Sequence, residues 1–191
     1  MRKQSNKPAG FIPPNGGYRN LFSYQKSEII YDGTVYFADR FFDPFDRTIG
    51  QMVQAARSGK QNIVEGSLAS ATSKETEIKL TNVARASLEE LQADYEDFLR
   101  TRDLQIWDKN HKVVMHLRRL NLSTPNPTYE TFRQEIEHDD PEVCANTMIT
   151  LIQIATFLLK RQLKTLEADF LDHGGLRESM AQARLKKRKR P

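Results

Sequence analysis

Apolar residues recur every three to four positions through four long stretches of this chain. Nowhere do they alternate with the period of two that marks a half-buried strand. The first stretch predicts a helix from Asn20 to Phe42 with Phe22, Ile29, Gly33, Tyr36, Phe37 and Phe41 facing inward. Asp43-Pro44 ends it, because a residue before proline is pushed out of the helical region. The second stretch enters at Asp46 or Thr48 and gathers Ile49, Met52, Val53, Ala56 and Ile63 on one side. Gly66 stands where a left-handed C′ glycine would close that helix. Ala55, Ala56 and Gly59 are small enough for a neighbouring helix to come close. A mid-helix glycine costs about 1 kcal/mol relative to alanine, so Gly59 points to tight packing. Across from the apolar side run Gln51, Ser58, Asn62 and Glu65. They form either a solvated face or a set in which Asn62 and Glu65 are buried and fix how helices, or subunits, meet.

The polar connector SLASAT leads to Thr72-Ser73-Lys74-Glu75, the pattern of a capping box, and to a third helix reaching Arg102. Its stripe, Leu80, Ala84, Leu88, Leu91, Tyr95 and Phe98, approaches the seam of an antiparallel bundle. Asp140-Pro141-Glu142 combines a cap, an N1 proline and a first-turn acid, and starts a fourth helix that Gly174-Gly175 stops after His173. One stripe of that helix holds Met148, Ile152, Ala155, Leu159, Leu163, Leu166 and Phe170. A second set, Leu151, Ile154 and Leu158, widens the apolar face, so this helix is buried on two sides. Its second cover is either the segment 103–140 or another subunit. Within 103–140, Val113, Val114 and Leu117 predict a short helix over Lys109–Leu120. Pro125 and Pro127 then break the chain, and Tyr129, Phe132 and Ile136 mark another turn or two.

The expected organisation is all-α: a helical body over 20–173 with 103–140 inserted, a Pro/Gly-rich arm at 1–19 and an extension at 174–191. A length of 191 residues suits one domain, and 38% apolar with 28% charged residues is an ordinary globular composition. The net charge of +4 is unevenly spread. Arg2, Lys3, Lys7 and Arg19 at one end, and Arg184, Lys186, Lys187, Arg188, Lys189 and Arg190 at the other, have no acid among them. The remaining 20–183 hold 19 basic against 25 acidic residues. Basic ends on an acidic body point to a tail that binds polyanions in a salt-dependent way. Lys109, His111, Lys112, His116, Arg118 and Arg119 form a local basic cluster, read either as a phosphate contact or as solvated surface.

Catalytic patterns are missing. No phosphate-binding glycine loop is present, and His111, His116, His138 and His173 lie at no ligand spacing. Glu89, Glu90, Asp94, Glu96 and Asp97 read as a solvated face of the third helix. Cys144, the lone cysteine, sits among Val143, Ala145 and Met148 as a small core residue. The run Ile149–Leu159 is broken by Thr150, Gln153 and Thr156, and reads as too short and polar to span a membrane. MRKQSNKPAGFIPP lacks the apolar core of a signal peptide, which favours the cytoplasm. No enzyme activity, metal or cofactor is expected.

Three pieces carry a family resemblance: Gln51-Met52-Val53-Gln54-Ala55-Ala56-Arg57-Ser58, Asn62-Ile63-Val64-Glu65-Gly66 and Val83-Ala84-Arg85-Ala86-Ser87-Leu88-Glu89-Glu90-Leu91. Together they resemble the bacterial four-helix bundle proteins encoded in intervening sequences of 23S ribosomal RNA genes. Those proteins are related to the accessory variability determinant of diversity-generating retroelements. The insert 103–140, the extension past Leu166 and Gly17-Tyr18-Arg19-Asn20-Leu21 look like a longer subgroup with a C-terminal suffix. The resemblance implies an up-down-up-down bundle, a homo-oligomeric ring of five and no enzyme activity. For the retroelement relatives it also implies binding of nucleic acid and of a reverse transcriptase. On this basis Arg85 or Ser87 is expected within hydrogen-bonding reach of Asn62 or Glu65. The expected function is RNA or DNA binding through Arg184, Lys186, Lys187, Arg188, Lys189 and Arg190, with Arg118 and Arg119. The alternative is a scaffold that docks another protein on the wide face of the fourth helix.

Overall fold

The computed structural model describes residues 17–188. It is all-α, with no strand among the described residues. A short 3-10 turn, Tyr18–Asn20, precedes α1 (Phe22–Phe41), α2 (Arg47–Ala69), α3 (Lys74–Arg100), α4 (Lys112–Ser123), α5 (Tyr129–Ile136), α6 (Pro141–His173) and α7 (Leu176–Arg188). Of the expected arm 1–19, residues 1–16 lie outside the described residues.

Helix starts follow local chemistry. The Asp46 carboxylate accepts from the Thr48 amide at 2.8 Å and begins α2. Ser73, not Thr72, caps α3 by accepting from the Thr76 amide at 3.1 Å. Asp140 accepts from the Glu142 amide at 2.9 Å, with Pro141 in the first turn of α6. Each side-chain oxygen satisfies an amide that the helix itself leaves unpaired.

Gly66 does not end α2. It keeps helical geometry, and the helix continues to Ala69. What matters at Gly66 is space: an added Cβ would lie 3.4 Å from the Glu77 carbonyl oxygen and 3.4 Å from Leu80 Cβ on α3. Gly174 is the true terminator, at a positive φ of +70° open to glycine, with its amide bonded to the Phe170 carbonyl.

α1 packs on α2 and α6, and α3 packs on the same two helices, so four long helices enclose one core. α1 meets α6 at Ser23, whose hydroxyl donates to Gln162 at 2.9 Å, and at Gly33, which lies against Met148. Inside are Ile30, Met52, Ile63, Leu88, Leu91, Met148 and Ile152. Phe37 anchors an aromatic group, 4.8 Å from the Tyr95 ring and 4.7 Å from Phe98. The buried Tyr95 hydroxyl donates to Thr34, so this large side chain is buried without an orphaned polar atom. Phe22, expected on the inner face of α1, is the first residue of the helix and is 60% exposed.

α4 and α5 cover the side of α6 that α1 and α3 leave open, so that it is buried throughout from Cys144 to Ile152. Leu151 is therefore fully covered, while Ile154 and Leu158 are half-buried and Phe157 is 59% exposed. The stretch Pro141–Leu185 is long and apolar enough to cross a membrane by length and composition, contrary to the reading of its polar breaks. Since 67% of its most apolar window is buried inside the protein, burial in the core accounts for that composition.

Candidate binding surfaces

The chain between α3 and α4 is strapped to the start of α6. Trp107 donates from its backbone amide to Asn146 Oδ1 at 2.8 Å and from its indole to Glu142 at 2.9 Å. Glu142 also accepts from the Gln105 amide, and Asn146 Nδ2 donates to the Gln105 carbonyl at 2.8 Å. His111 stacks on the Trp107 ring with centroids 4.0 Å apart. Neither Trp107 nor Asn146 stood out in the sequence, since a single asparagine on an apolar helix carries no periodic signal. Its role depends on a strap that arrives from forty residues upstream.

That strap orients α4, which bears two of the expected basic residues. Arg118 is half-buried and donates to the neutral Gln153 side chain at 3.1 Å. Arg119 is exposed. Of the remaining expected contacts, Arg184, Lys186, Lys187 and Arg188 belong to α7, beyond the Gly174-Gly175 break. There the Gly175 amide donates to the Glu178 carboxylate at 2.9 Å. Arg184 and Arg188 are exposed, and α7 is not closely packed on the other helices. Lys186 and Lys187 lie on α7 with side chains outside the described set, while Lys189 and Arg190 lie outside the described residues. Gln153, the partner of Arg118, precedes His173 by about 20 residues, or roughly 30 Å of helix. The α4 and α7 charges are therefore two surfaces and not one patch.

The polar stripe of α2 divides. Ser58 and Asn62 are half-buried at the α3 contact, whereas Gln51 and Glu65 are exposed. Ser58 Oγ lies 2.9 Å from Ser87 Oγ, and Asn62 Nδ2 donates to the Ser58 carbonyl at 2.9 Å and to its hydroxyl at 3.2 Å. The link between helices is thus Ser58–Ser87, with Asn62 one step removed. Arg85 turns along its own helix to Glu89, at 2.8 Å, and to Asn82. The expected direct contact between Arg85 or Ser87 and Asn62 or Glu65 is not made within the chain. On a helix, residues three and four apart are neighbours, so Arg85 satisfies its charge locally without crossing to α2.

A groove of about 520 Å³ runs between α4 and α6. Ile154, Phe157 and Leu158 line it from α6, and Leu122, 85% exposed, from the end of α4. Arg118 and Arg161 stand in the same lining, which includes no carboxylate.

Burial alters the proton affinity of several groups, Lys26 and Cys144 among them. Lys26 on α1 is 3% exposed; its ammonium has no hydrogen-bond partner and lies 5.1 Å from the Phe132 ring centroid. Burial lowers its pKa to about 8. Burial also pushes the Cys144 thiol up to about 12, and its Sγ donates to the Ile136 carbonyl, which keeps the group neutral and unreactive. On α3, burial followed by the neighbouring charges of Glu90 and Asp97 raises the Asp94 carboxyl. Among the described residues no set of three or more His, Cys, Asp or Glu is placed to hold a metal. Comparison with family models, curated proteins and solved structures finds no match to this chain.

Proposed function

We propose that this chain is a non-enzymatic, cytoplasmic up-down-up-down four-helix bundle that self-assembles and binds RNA or DNA through its C-terminal extension. The observation that carries the reading is α7: a separate helix with Arg177, Arg184 and Arg188 exposed and Glu178 as its only acid. Such a helix offers phosphates a row of cations, with the α3 carboxylate of Glu75 close only to its start. Arg119, and Arg118 if it leaves Gln153, form a secondary contact on α4. The closed cycle of contacts among α1, α2, α3 and α6 supports the bundle, as do the Ser23–Gln162 and Gly33–Met148 contacts, which run α1 and α6 in opposite directions. The ring of five is implied by the resemblance alone, and light scattering reads it directly.

The test compares the full chain with a version ending at residue 183, on single- and double-stranded RNA and DNA at two salt concentrations. Binding that weakens steeply with salt, and loses most of that slope on truncation, is expected. No affinity at low salt would sink the proposal.

A second reading has its own observation. Phe157 and Leu122, 59% and 85% exposed, flank the α4–α6 groove, and large apolar side chains grouped around a groove favour a protein-docking surface. On that reading the protein is a scaffold or adaptor.

A further inference from the structure

We infer that the α4–α6 groove receives an amphipathic helical segment of a partner protein, with apolar side chains on one face and acidic side chains along its borders. The inference rests on the adaptor reading and gives it a partner chemistry. The floor is apolar: Ile154 and Leu158 are half-buried, with Phe157 and Leu122 rising beside them. The spacing of Ile154, Phe157 and Leu158 is that of a helix ridge, which suits a second helix laid alongside.

Charge selects the occupant. Arg118 bonds only to the neutral Gln153, and Arg161 is exposed; neither is within salt-bridge distance of a carboxylate among the described residues. The outer side of α4 adds Lys112 and Arg119 around the exposed Met115. An apolar trough between unpaired cations disfavours the chain's own termini: α7 is basic, and residues 1–16 hold Arg2, Lys3 and Lys7 with no acid. A second copy presents exposed apolar residues near acids only singly and on separate elements, Val35 on α1, Phe45 before α2, Val83 on α3 and Leu171 on α6, where the groove calls for two at helical spacing; Met115 with Leu122 sit among basic residues. The remaining match is a foreign segment with two or more apolar residues at three- or four-residue spacing and Asp or Glu on its flanks.

The experiment selects displayed random sixteen-residue peptides on the full chain, with counter-selection against Phe157→Asp. The most enriched peptide is then synthesised for anisotropy titration. Enrichment of apolar pairs three or four apart with acidic flanks is expected, and Phe157→Asp should weaken binding about 10-fold or more, the loss of one buried anchor. Arg118→Glu with Arg161→Glu should weaken it further and shift preference to a lysine-flanked version of the same peptide. Circular dichroism melting establishes that each variant folds, and Leu122→Asp, at a more exposed site, replaces Phe157→Asp if that variant fails.

Several results would overturn the inference: no groove-dependent peptide, enriched peptides without acidic flanks, or binding of oleate but no peptide. A fall in the wild-type mass on Phe157→Asp would assign the groove to a second copy and overturn it equally. Peptide affinity of the version ending at residue 183 should equal that of the full chain, which separates failure here from failure of the α7 reading.

Discussion

Replacing Lys26 with methionine should stabilise this protein, although Lys26 is almost completely enclosed and touches an aromatic ring. The residue is 3% exposed, and its buried ammonium has no hydrogen-bond partner. Burial lowers its pKa from 10.5 to about 8. At about 1.4 kcal/mol per pH unit, that difference costs the charged native state roughly 3 kcal/mol. The Phe132 face, 5.1 Å away, returns about 0.5–2 kcal/mol through its attraction for the cation. Lys26→Met keeps the length and packing of the side chain and removes the charge, for a net gain of about 1–3 kcal/mol at pH 7. The pH dependence follows from the direction of the shift. A native pKa below the unfolded one means that the unfolded chain binds more protons between about pH 8 and 10.5. The penalty is fully present below pH 8 and disappears as pH rises through that window. Wild type should therefore gain on Lys26→Met as pH increases, and the two should converge near pH 10.5. Urea unfolding of both proteins at pH 7, 9 and 10, at one fixed protein concentration, measures this. A less stable Lys26→Met at pH 7, or a difference that does not change with pH, would refute the reasoning.

Other positions offer equally direct tests. At Gly59, an added Cβ would fall 2.6 Å from Leu88 Cδ2 and 2.8 Å from its Cγ, in a side chain with no free space. Gly59→Ala should therefore destabilise by about 1–3 kcal/mol despite its better helix propensity, read as a lower urea midpoint. Gly33→Ala is the contrast: its nearest neighbours, 2.7 and 2.9 Å away, are the flexible end of Met148, so a smaller loss is expected in the same assay. Asn146→Ala removes the acceptor of the Trp107 amide and the donor to Gln105, and should cost about 1–3 kcal/mol. Since Trp107 is the only tryptophan, a red shift of intrinsic fluorescence at unchanged helix content reports the loosened strap. Ser58→Ala and Ser87→Ala, singly and together, should show a coupling energy of about 1 kcal/mol; strict additivity would mean that their 2.9 Å contact contributes nothing.

The helices and most of their core faces were legible in the chain because both rest on local information. Spacing of three and four put Leu88, Leu91, Tyr95 and Phe98 on one face of α3, and all four are buried. Asp140, Pro141 and Gly174 mark both ends of α6 as observed, because caps and terminators work within one turn. Lys26 did not stand out in the sequence, although it falls on the line of Ile30, Gly33 and Phe37 and is buried with them. Tertiary structure decided what depends on the neighbour. Gly66 has the composition of a helix stop, yet it lies inside α2 because α3 fills the space a side chain would occupy. The polar stripe of α2 contained no information on which members would face α3, so Ser58 found Ser87 while Glu65 faced solvent. Leu151 and Phe157 are both large apolar residues of α6, and only the length and path of α4 and α5 leave one covered and the other open. Period states which face of a helix is apolar; whether that face is covered is a contact between segments far apart in sequence, and only the folded chain contains it.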